Sequence, residues 1–283
     1  MNKYKENLNN IVSCKILFDE PLSKYTTFGI GGPADCLIYP NNSDELFIIL
    51  SYCYKNNVPV VFIGSGSNLL ICDQGFNGIV ISLRKTFKKL TVENNGVILA
   101  QSGVMLGNMV KIAIQNNISG LESLVGVPGT VGGALIMNAG AYGQEISSHF
   151  IKAKTITMKG KIKNYLKNDI QFSYRHSTFP VDEILIEAMF KCKRGNQNKI
   201  NNNKKTASIG RKSTQPLKFR SAGSIFKNPS NEISAGYLID QAGLKGSNYG
   251  GASISKKHAN FIINLGNAKA SDVLHLIKLA KSK

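Results

Sequence analysis

Apolar and polar positions alternate in short, regular stretches along the chain, and their periods predict a mixture of helices and strands. Apolar residues from Leu46 to Cys53 recur at helix spacing, which predicts a helix from Ser43 through Tyr54 with Ser43 as its N-cap. An apolar, β-branched run over 59–63 predicts a buried strand. The same reasoning predicts strands over 79–83, 90–93, 97–101, 151–158, 162–166, 184–192 and 260–264, and helices over 106–116, from the cap at 234 to near 243, and from 271 onward.

The order of these elements predicts an α+β fold with a separate C-terminal part. The turn Asn94-Asn95-Gly96 joins the strands over 90–93 and 97–101 as a hairpin. Residues 195–213 contain an Asn- and Lys-rich run with almost no apolar residues, which predicts an exposed, flexible linker. A small α+β domain over 214–283 follows it.

Length and composition indicate a globular protein with more than one domain. The 283 residues, 42% of them hydrophobic and 18% charged, can bury a substantial core in two or three domains. The first residues lack the apolar run of a signal peptide, and no run approaches the roughly 18 apolar residues that a membrane helix needs. We therefore expect a cytoplasmic monomer without membrane insertion.

The cysteines and histidines indicate neither disulfides nor a metal site. The five cysteines are an odd number, widely spaced, and form no Cys-x-x-Cys pair. The four histidines also lack metal-ligand spacing. We expect reduced, mostly structural thiols and no bound metal.

The formal net charge of +18 is the strongest compositional deviation. Such a charge is compatible with nucleic acid, an anionic membrane surface or an anionic small substrate. Ten Lys or Arg and no Asp or Glu lie between Lys191 and Arg220, but the aromatic interleaving of a single-strand binding platform is absent. The pattern therefore disfavours nucleic-acid binding.

Two glycine-rich loops carry the clearest chemical signal. The stretch from Gly126 to Gly143 holds six glycines and a proline, and Gly64-Ser-Gly-Ser-Asn follows the predicted strand over 59–63. Glycine removes Cβ and permits positive φ, so successive N–H groups can converge on an anion or a flat ring. The pair of loops predicts a large phosphorylated cofactor.

Neither loop matches the common nucleotide-binding motifs. Leu69 stands where the third glycine of Gly-x-Gly-x-x-Gly would be, which argues against a Rossmann domain. No Gly-x-x-x-x-Gly-Lys-Ser/Thr occurs in the sequence. A different kind of cofactor domain is expected.

Several longer motifs together resemble one enzyme family over residues 25–277. They are Tyr25-Thr-Thr-Phe-Gly-Ile-Gly-Gly-Pro-Ala, Ile63-Gly-Ser-Gly-Ser-Asn-Leu-Leu, Gly120-Leu-Glu through Gly143, Phe172-Ser-Tyr-Arg-His-Ser, Ala222-Gly-Ser-Ile-Phe-Lys-Asn-Pro and Leu238-Ile-Asp-Gln-Ala-Gly-Leu-Lys-Gly. This set resembles the UDP-N-acetylenolpyruvoylglucosamine reductases, also called UDP-N-acetylmuramate dehydrogenases, of peptidoglycan synthesis. The short connection between Arg175 and Ser224 resembles the subfamily without the extra tyrosine-bearing loop.

The resemblance implies a flavoenzyme with an α+β fold in three parts. Two subdomains of the vanillyl-alcohol oxidase type would hold non-covalent FAD, and a smaller α+β domain would bind substrate. On this basis we predict FAD-binding subdomains over 1–65 and 66–194, the basic linker over 195–213 and the substrate domain over 214–283. NADPH would supply the hydride that reduces the enolpyruvyl ether of a UDP-sugar to the lactyl ether of UDP-N-acetylmuramate.

The resemblance also implies roles for individual residues. Arg175 matches the residue that polarises the substrate carboxylate, and Ser224 matches the proton donor to carbon. Asn138 and Tyr142 are either flavin contacts or structural polar residues. The implied cofactor-binding residues are Gly64, Ser65, Gly66, Ser67, Asn68, Gly126, Pro128, Gly129, Thr130, Gly132, Gly133, Asn138 and Tyr142, and the implied substrate-binding residues are Tyr174, Gln215, Lys227 and Asn228.

One residue of the family pattern has no match. The family carries a catalytic glutamate in a short segment after its final helix, whereas this sequence ends at Ala280-Lys-Ser-Lys283. None of the carboxylates Glu232, Asp240 and Asp272 lies in the matching motif, so the role is assigned to no residue. The alternatives are a truncated sequence, a catalytically weakened FAD-binding protein, or a flavin oxidase of the same fold.

Overall fold

The structure, a computed structural model, describes residues 4–283. Its α-helices in chain order are α1 Lys5–Ile11, α2 Ser43–Lys55, α3 Leu106–Gln115, α4 Val131–Ile136, α5 Gln197–Thr214, α6 Ala235–Gln241 and α7 Ala270–Ser282. Its strands are β1 Lys15–Pro21, β2 Pro33–Tyr39, β3 Val60–Ile63, β4 Phe76–Ser82, β5 Leu90–Val92, β6 Val97–Gln101, β7 Ile118–Ser119, β8 Gly140–Ala141, β9 Gln144–Glu145, β10 Phe150–Thr157, β11 Ile162–Leu166, β12 Phe172–Ser173, β13 His176–Ser177, β14 Glu183–Lys191, β15 Lys193–Arg194, β16 Asn248–Tyr249, β17 Ala252–Ile254 and β18 Ile262–Asn264. The predicted α+β class is confirmed.

The chain divides into two compact units. The first contains Met1–Phe18, Asp35–Ser65 and Gly78–Ile209, and the second contains Asp19–Ala34, Gly66–Asn77 and Gly210–Lys283. The domain boundaries expected from the sequence stay predictions.

A four-stranded sheet with the order β1-β2-β4-β3 supports one core of the first unit. Strands β3 and β4 are parallel, and helix α2 buries Leu46, Ile49 and Leu50 in this core. The predicted helix is confirmed, but the predicted cap at Ser43 is wrong. Asn42 is the N-cap, because its Oδ1 accepts the N–H of Glu45 at 2.9 Å.

A five-stranded antiparallel sheet, β11-β10-β14-β6-β5, supports the other core of the first unit. Helix α3 buries Leu106, Met109, Val110 and Ala113 there. The predicted hairpin between β5 and β6 is confirmed.

A buried carboxylate at the start of β14 holds one end of this sheet. Glu183 accepts hydrogen bonds from Thr155 Oγ1 at 2.6 Å, from Tyr165 Oη at 2.9 Å and from Lys163 Nζ. Burial raises the pKa of Glu183, but the hydrogen bonds from Lys163, Thr155 and Tyr165 outweigh it and lower the pKa below the ordinary value of 4.5. The ionised form therefore stabilises the fold.

Glu183→Gln should destabilise the protein by about 1–3 kcal/mol near neutral pH, because an amide cannot accept from all three donors. Since the folded pKa of Glu183 is depressed, its contribution is fully present above the ordinary value of 4.5 that applies to the unfolded chain, and is lost as pH falls through the folded pKa. Urea unfolding of both proteins as a function of pH checks this. The matched control is Glu187→Gln on the same strand, whose pair with Lys154 is more exposed and should contribute little. Equal losses in the two variants would contradict the assignment.

The second unit packs around the antiparallel sheet β16-β17-β18 and helices α6 and α7. Phe28 and Ile30 are buried in the same core as Val273 and Leu276 of α7. The Asp73 carboxylate accepts the N–H groups of Ala270 at 2.7 Å and Ser271 at 3.0 Å. These bonds fix the segment Gly66–Asn77 to the first turn of α7.

Helix α6 follows the sequence prediction closely. Ser234 is its N-cap, and the Ser234 Oγ accepts the N–H of Tyr237 at 3.1 Å. The predicted cap at Ser234 is confirmed.

The segment predicted as a flexible linker is a helix. Residues 197–214 form α5, which has Ile200 and Ala207 buried on one face and is otherwise mostly polar. The expectation of irregular structure at 195–213 is therefore wrong: Ile200 and Ala207 lie two turns apart on this helix, and Ile200 packs in the core of the five-stranded sheet.

All five cysteines are unbridged, and Cys72 alone among them is exposed. Burial raises the pKa of the Cys14, Cys53 and Cys192 thiols to about 12, so all three are protonated at neutral pH. Within residues 4–283 no three His, Cys, Asp or Glu side chains are grouped so that they could hold a metal ion. Over the same range, no helix has the length and apolar character needed to cross a membrane.

Candidate active site

The two predicted glycine loops meet in the first unit. Gly64 follows the last residue of β3, and a Cβ placed on it would lie 2.5 Å from Thr130 Oγ1. Thr130 is buried and caps α4, accepting the N–H of Gly133 at 3.4 Å. Any side chain at position 64 would displace this cap, so Gly64 is required by the contact between the loops.

The continuation of the first loop lies in the second unit. Gly66 has φ +65, and the carbonyl oxygen of Tyr25 occupies the position of its missing Cβ. Thr27 donates its N–H to the Gly66 carbonyl at 3.1 Å. Ser65 and Ser67 are half-buried and Asn68 is exposed. Glycine at position 66 therefore allows this backbone to pack closely against the backbone of Tyr25.

The second loop contains a short helix that the sequence reasoning missed. Gly132 lies in the first turn of α4, and a Cβ there would lie 2.9 Å from Ser102 Cβ, so this glycine allows packing inside the protein. Gly133 is different, since its nearest neighbour would be Thr130 Oγ1 at 3.7 Å. Its exposed face is open to a ligand. Gly126 and Pro128 are exposed, and Gly126 and Gly129 both have positive φ, at +73 and +149.

Asn138 is fully buried after α4 and has φ +42. Its Nδ2 donates to Glu145 Oε2 at 2.8 Å and to the Ser173 carbonyl at 3.0 Å. Its Oδ1 has no hydrogen-bond partner among residues 4–283. A buried acceptor without a donor is costly, so Oδ1 is a ready contact for a ligand N–H or O–H group.

Tyr142 and Gly143 form the two-residue turn between β8 and β9, with φ +51 and +77. Positive φ at both central positions is the type I′ pattern. The turn geometry therefore accounts for the glycine at position 143 without a cofactor contact. The Tyr142 ring is half exposed.

Arg175 occupies a strained position in the tight turn between β12 and β13. It is the second of the two turn residues and has φ +56, a conformation that costs a non-glycine residue on the order of 1–3 kcal/mol. Its Nη2 donates to the Gly140 carbonyl at 2.8 Å and its Nη1 to the Asn138 carbonyl at 3.4 Å, and its guanidinium lies 5.0 Å from the Tyr174 ring centre. Two of the five guanidinium donors are thus held by the protein, and three are available.

Ser224 is exposed on a segment that the second unit fixes firmly. It forms an isolated antiparallel bridge with Phe261, and Ile225 donates its N–H to the Asn260 carbonyl at 2.9 Å. The buried Asn260 side chain also accepts the Phe226 N–H and donates to the Phe226 carbonyl, both at 2.9 Å. The Ser224 hydroxyl is presented from a rigid backbone.

The predicted substrate-binding residues differ in whether their polar groups already form hydrogen bonds within the protein. Lys227 and Tyr174 are exposed. The Asn228 Oδ1 accepts the Ala235 N–H at 3.1 Å, and the Gln215 Oε1 accepts from Arg211 Nη1 at 3.2 Å. Each amide oxygen thus makes one bond within the protein, and the amide N–H groups of Asn228 and Gln215 are available to a ligand.

Two of the three carboxylates that follow Ser224 in the sequence, Asp240 and Asp272, have partners within the protein. Asp240 pairs with Lys245, and Asp272 Oδ2 accepts the N–H groups of Gly251 and Lys269, each at 3.0 Å. Their structural roles agree with assigning neither as the catalytic acid.

These features fit a flavin dinucleotide. The two loops are in contact, the backbone at Gly133 faces open space, and the buried Asn138 Oδ1 and Ser102 Oγ both lack a partner among residues 4–283. Ser102 and Glu145 were missed from the sequence. Ser102 carries no local motif, whereas Glu145 could have been found as the carboxylate that ends the Asn-Ala-Gly-Ala-Tyr-Gly-Gln-Glu stretch.

Comparison with known proteins identifies a family for this chain. Residues 34–165 match the family described as FAD binding domain, and residues 215–283 match that described as UDP-N-acetylenolpyruvoylglucosamine reductase, C-terminal domain. The chain is 40% identical over 283 residues to the UDP-N-acetylenolpyruvoylglucosamine reductase of Syntrophus aciditrophicus, covering 99% of this chain and 90% of that protein. It is 41% identical over 276 residues to the enzyme of the same name from Carboxydothermus hydrogenoformans, with coverages of 97% and 91%.

Solved structures support the same fold. The crystal structure of UDP-N-acetylenolpyruvylglucosamine reductase from Thermus caldophilus has a TM-score of 0.82 and 35% identity, and covers 95% of both chains. A solvent-stable cholesterol oxidase, 14% identical, shares the fold over 66% of this chain and 39% of its own length with a TM-score of 0.52. The predicted FAD-binding fold of the vanillyl-alcohol oxidase type with an added C-terminal domain is confirmed. By sequence and by structure, the chain belongs to the UDP-N-acetylenolpyruvoylglucosamine reductase family.

Proposed function

We propose that this chain catalyses the NADPH-dependent reduction of UDP-N-acetylglucosamine enolpyruvate to UDP-N-acetylmuramate in peptidoglycan synthesis, with non-covalent FAD as cofactor. The observation that carries the proposal is the Arg175 guanidinium, which is held by the Asn138 and Gly140 carbonyls from a turn with unfavourable φ. Strain of this kind persists where the surroundings impose it and is typical of functional residues.

The glycine loops would hold the cofactor. Backbone N–H groups and hydroxyls of 64–68 would bind the diphosphate, and the loop containing Gly126, Pro128, Gly129, Gly132 and Gly133 would allow close approach of the ring system. Asn138 Oδ1 would accept a hydrogen bond from it. FAD, when bound, supplies the hydride transfer chemistry between NADPH and the enolpyruvyl double bond.

Arg175 would bind and polarise the substrate carboxylate. Hydride addition to one olefinic carbon places negative charge on the other carbon and on the attached carboxylate. Three guanidinium donors remain free in a planar arrangement that matches a carboxylate. Because the protein already fixes the guanidinium, little reorganisation is needed as the charge develops.

Ser224 would deliver the proton to the carbon that carries the carboxylate. Its hydroxyl makes no hydrogen bond to any of residues 4–283, so it can turn toward a ligand, while its backbone is held through Asn260 and Phe261. A serine hydroxyl is a weak acid, so its position relative to the carbanionic carbon has to be precise.

The substrate and the hydride donor are anionic, and the chain carries basic side chains that can attract them. Lys227 and the free amide groups of Asn228 and Gln215 would contact the UDP-sugar, as would Tyr174. A net charge of +18 would also raise the capture rate of the UDP-sugar and NADPH. A cytoplasmic monomer remains the expectation for the working enzyme.

Steady-state turnover tests the proposal. Protein supplied with FAD should oxidise NADPH over repeated turnovers only when the enolpyruvyl UDP-sugar is present, and mass spectrometry should show that the product has gained one hydride and one proton. Oxygen-dependent NADPH oxidation without the UDP-sugar would support a flavin oxidase instead. Bound FAD without any turnover would support a catalytically silent flavoprotein.

A further inference from the structure

Glu145 ends the β8–β9 hairpin beside Arg175 without forming an ion pair with it among residues 4–283. A Cβ built on Gly140 would lie 2.9 Å from Glu145 Cγ and 3.2 Å from Arg175 Nη1. The two side chains therefore crowd the same face of Gly140. Only glycine at this position leaves room for both.

The Glu145 carboxylate determines the orientation of the Asn138 side chain. Its Oε2 accepts from Asn138 Nδ2 at 2.8 Å, and the Ser173 carbonyl accepts from the same nitrogen at 3.0 Å. An ionised carboxylate and a carbonyl can only accept, so the amide nitrogen has to face them and the amide oxygen has to face away. Flipping the amide would place three oxygens against one another.

Asn138 in turn contacts Arg175 in two ways, through the backbone before it and through its guanidinium. Ser173, which it holds, lies two residues before Arg175, and the Asn138 backbone carbonyl accepts from the Arg175 guanidinium. The hairpin is also tied at its other strand, where Ser177 Oγ donates to the Ile136 carbonyl at 2.7 Å. The strained turn is thus held on one side by the loop after α4 and on the other by the last residue of α4.

We propose that Glu145 is a positioning residue for Arg175. By accepting from Asn138 Nδ2, it holds the loop whose carbonyls orient the guanidinium, and by not pairing with Arg175 it leaves three donors for the substrate carboxylate. This inference rests on the proposed function. The essential property of Glu145 is its acceptor oxygen, which glutamine can replace.

Glu145→Ala should therefore raise the KM for the UDP-sugar and slow its reduction by about 10²-fold, because a displacement of about 1 Å has an effect of this size. NADPH should still bleach the flavin of the FAD-saturated variant. FAD affinity and the midpoint of thermal unfolding should fall moderately, because the fully buried Asn138 amide loses both an acceptor and its fixed orientation toward the flavin. Glu145→Gln should recover most of the lost rate. The matched control is Gln144→Ala on the same strand, which removes only the acceptor for Ser123 Oγ at 2.9 Å.

A double-mutant cycle with Arg175→Lys tests the coupling. If Glu145 acts through Arg175, Glu145→Ala should have little further effect in the Arg175→Lys background. Equal effects of Glu145→Ala in both backgrounds, or equal effects of Glu145→Ala and Gln144→Ala, would overturn the inference. If Glu145→Ala fails to fold, Glu145→Leu keeps the volume without the acceptor and takes its place. A wild-type protein without turnover would instead contradict the proposed function.

Discussion

Replacing Ser224 with alanine should leave flavin bleaching by NADPH at the wild-type rate and slow the return of flavin absorbance with the enolpyruvyl UDP-sugar by about 10²–10⁴-fold. The change removes the proton that the carbanionic carbon needs. The hydroxyl that is removed makes no hydrogen bond to the described residues. The backbone of this segment is held by the Asn260 side chain and should keep its position. Rapid mixing with each substrate in turn, under anaerobic conditions, separates the two steps.

The control for this prediction is Ser221→Ala, three residues earlier in the same segment. The Ser221 carbonyl, not its hydroxyl, accepts the bond from Thr27 Oγ1 at 2.8 Å, so the variant should behave like the wild type. Product formation by Ser224→Ala at the wild-type rate would remove Ser224 from the mechanism.

Arg175→Lys should lower the rate of UDP-sugar reduction by about 10²–10³-fold and raise the KM for the UDP-sugar, with NADPH-dependent bleaching unaffected. Lysine keeps the positive charge but loses the planar set of donors, so it cannot bind the Asn138 and Gly140 carbonyls and a carboxylate in the same geometry. The measurement is kcat and KM for the UDP-sugar, each determined for Arg175→Lys and for the wild type.

Arg194→Lys provides the matched control, since Arg194 is exposed on β15 of the same unit. It should match the wild type in both steps. A loss confined to the NADPH step in Arg175→Lys would assign Arg175 to hydride-donor binding and contradict its role in polarising the substrate carboxylate.

Much of the fold followed from local patterns. Helix α2 and the β5–β6 hairpin lie where apolar periodicity and the Asn94-Asn95-Gly96 turn place them. Such elements are set by residues close together in the chain. The N-cap at Asn42 was missed by one residue because both Asn42 and Ser43 are good caps, and only the backbone geometry selects between them.

Helix α5 could not be predicted in the same way. Its asparagine-rich sequence has weak helix propensity, and its two buried residues, Ile200 and Ala207, gain their significance only from tertiary packing. Composition alone therefore indicated a flexible linker.

The candidate site stays a prediction, and the structure adds reasons for its glycines that the sequence did not give. Both loops were identified by their glycines, yet Gly64 and Gly132 are required by Thr130 and Ser102, side chains that are distant in sequence. Gly143 is required by its turn. The dependence of Arg175 on Asn138 and Glu145 likewise joins two stretches of chain, 138–145 and 173–175, that only the folded structure brings together.

Anaerobic single-turnover mixing of the FAD-loaded protein tests the central claim most directly. NADPH should bleach the flavin absorbance, and the enolpyruvyl UDP-sugar should then restore it with formation of UDP-N-acetylmuramate. Protein that stays colourless after incubation with FAD, or absorbance that the UDP-sugar fails to restore, would contradict the account.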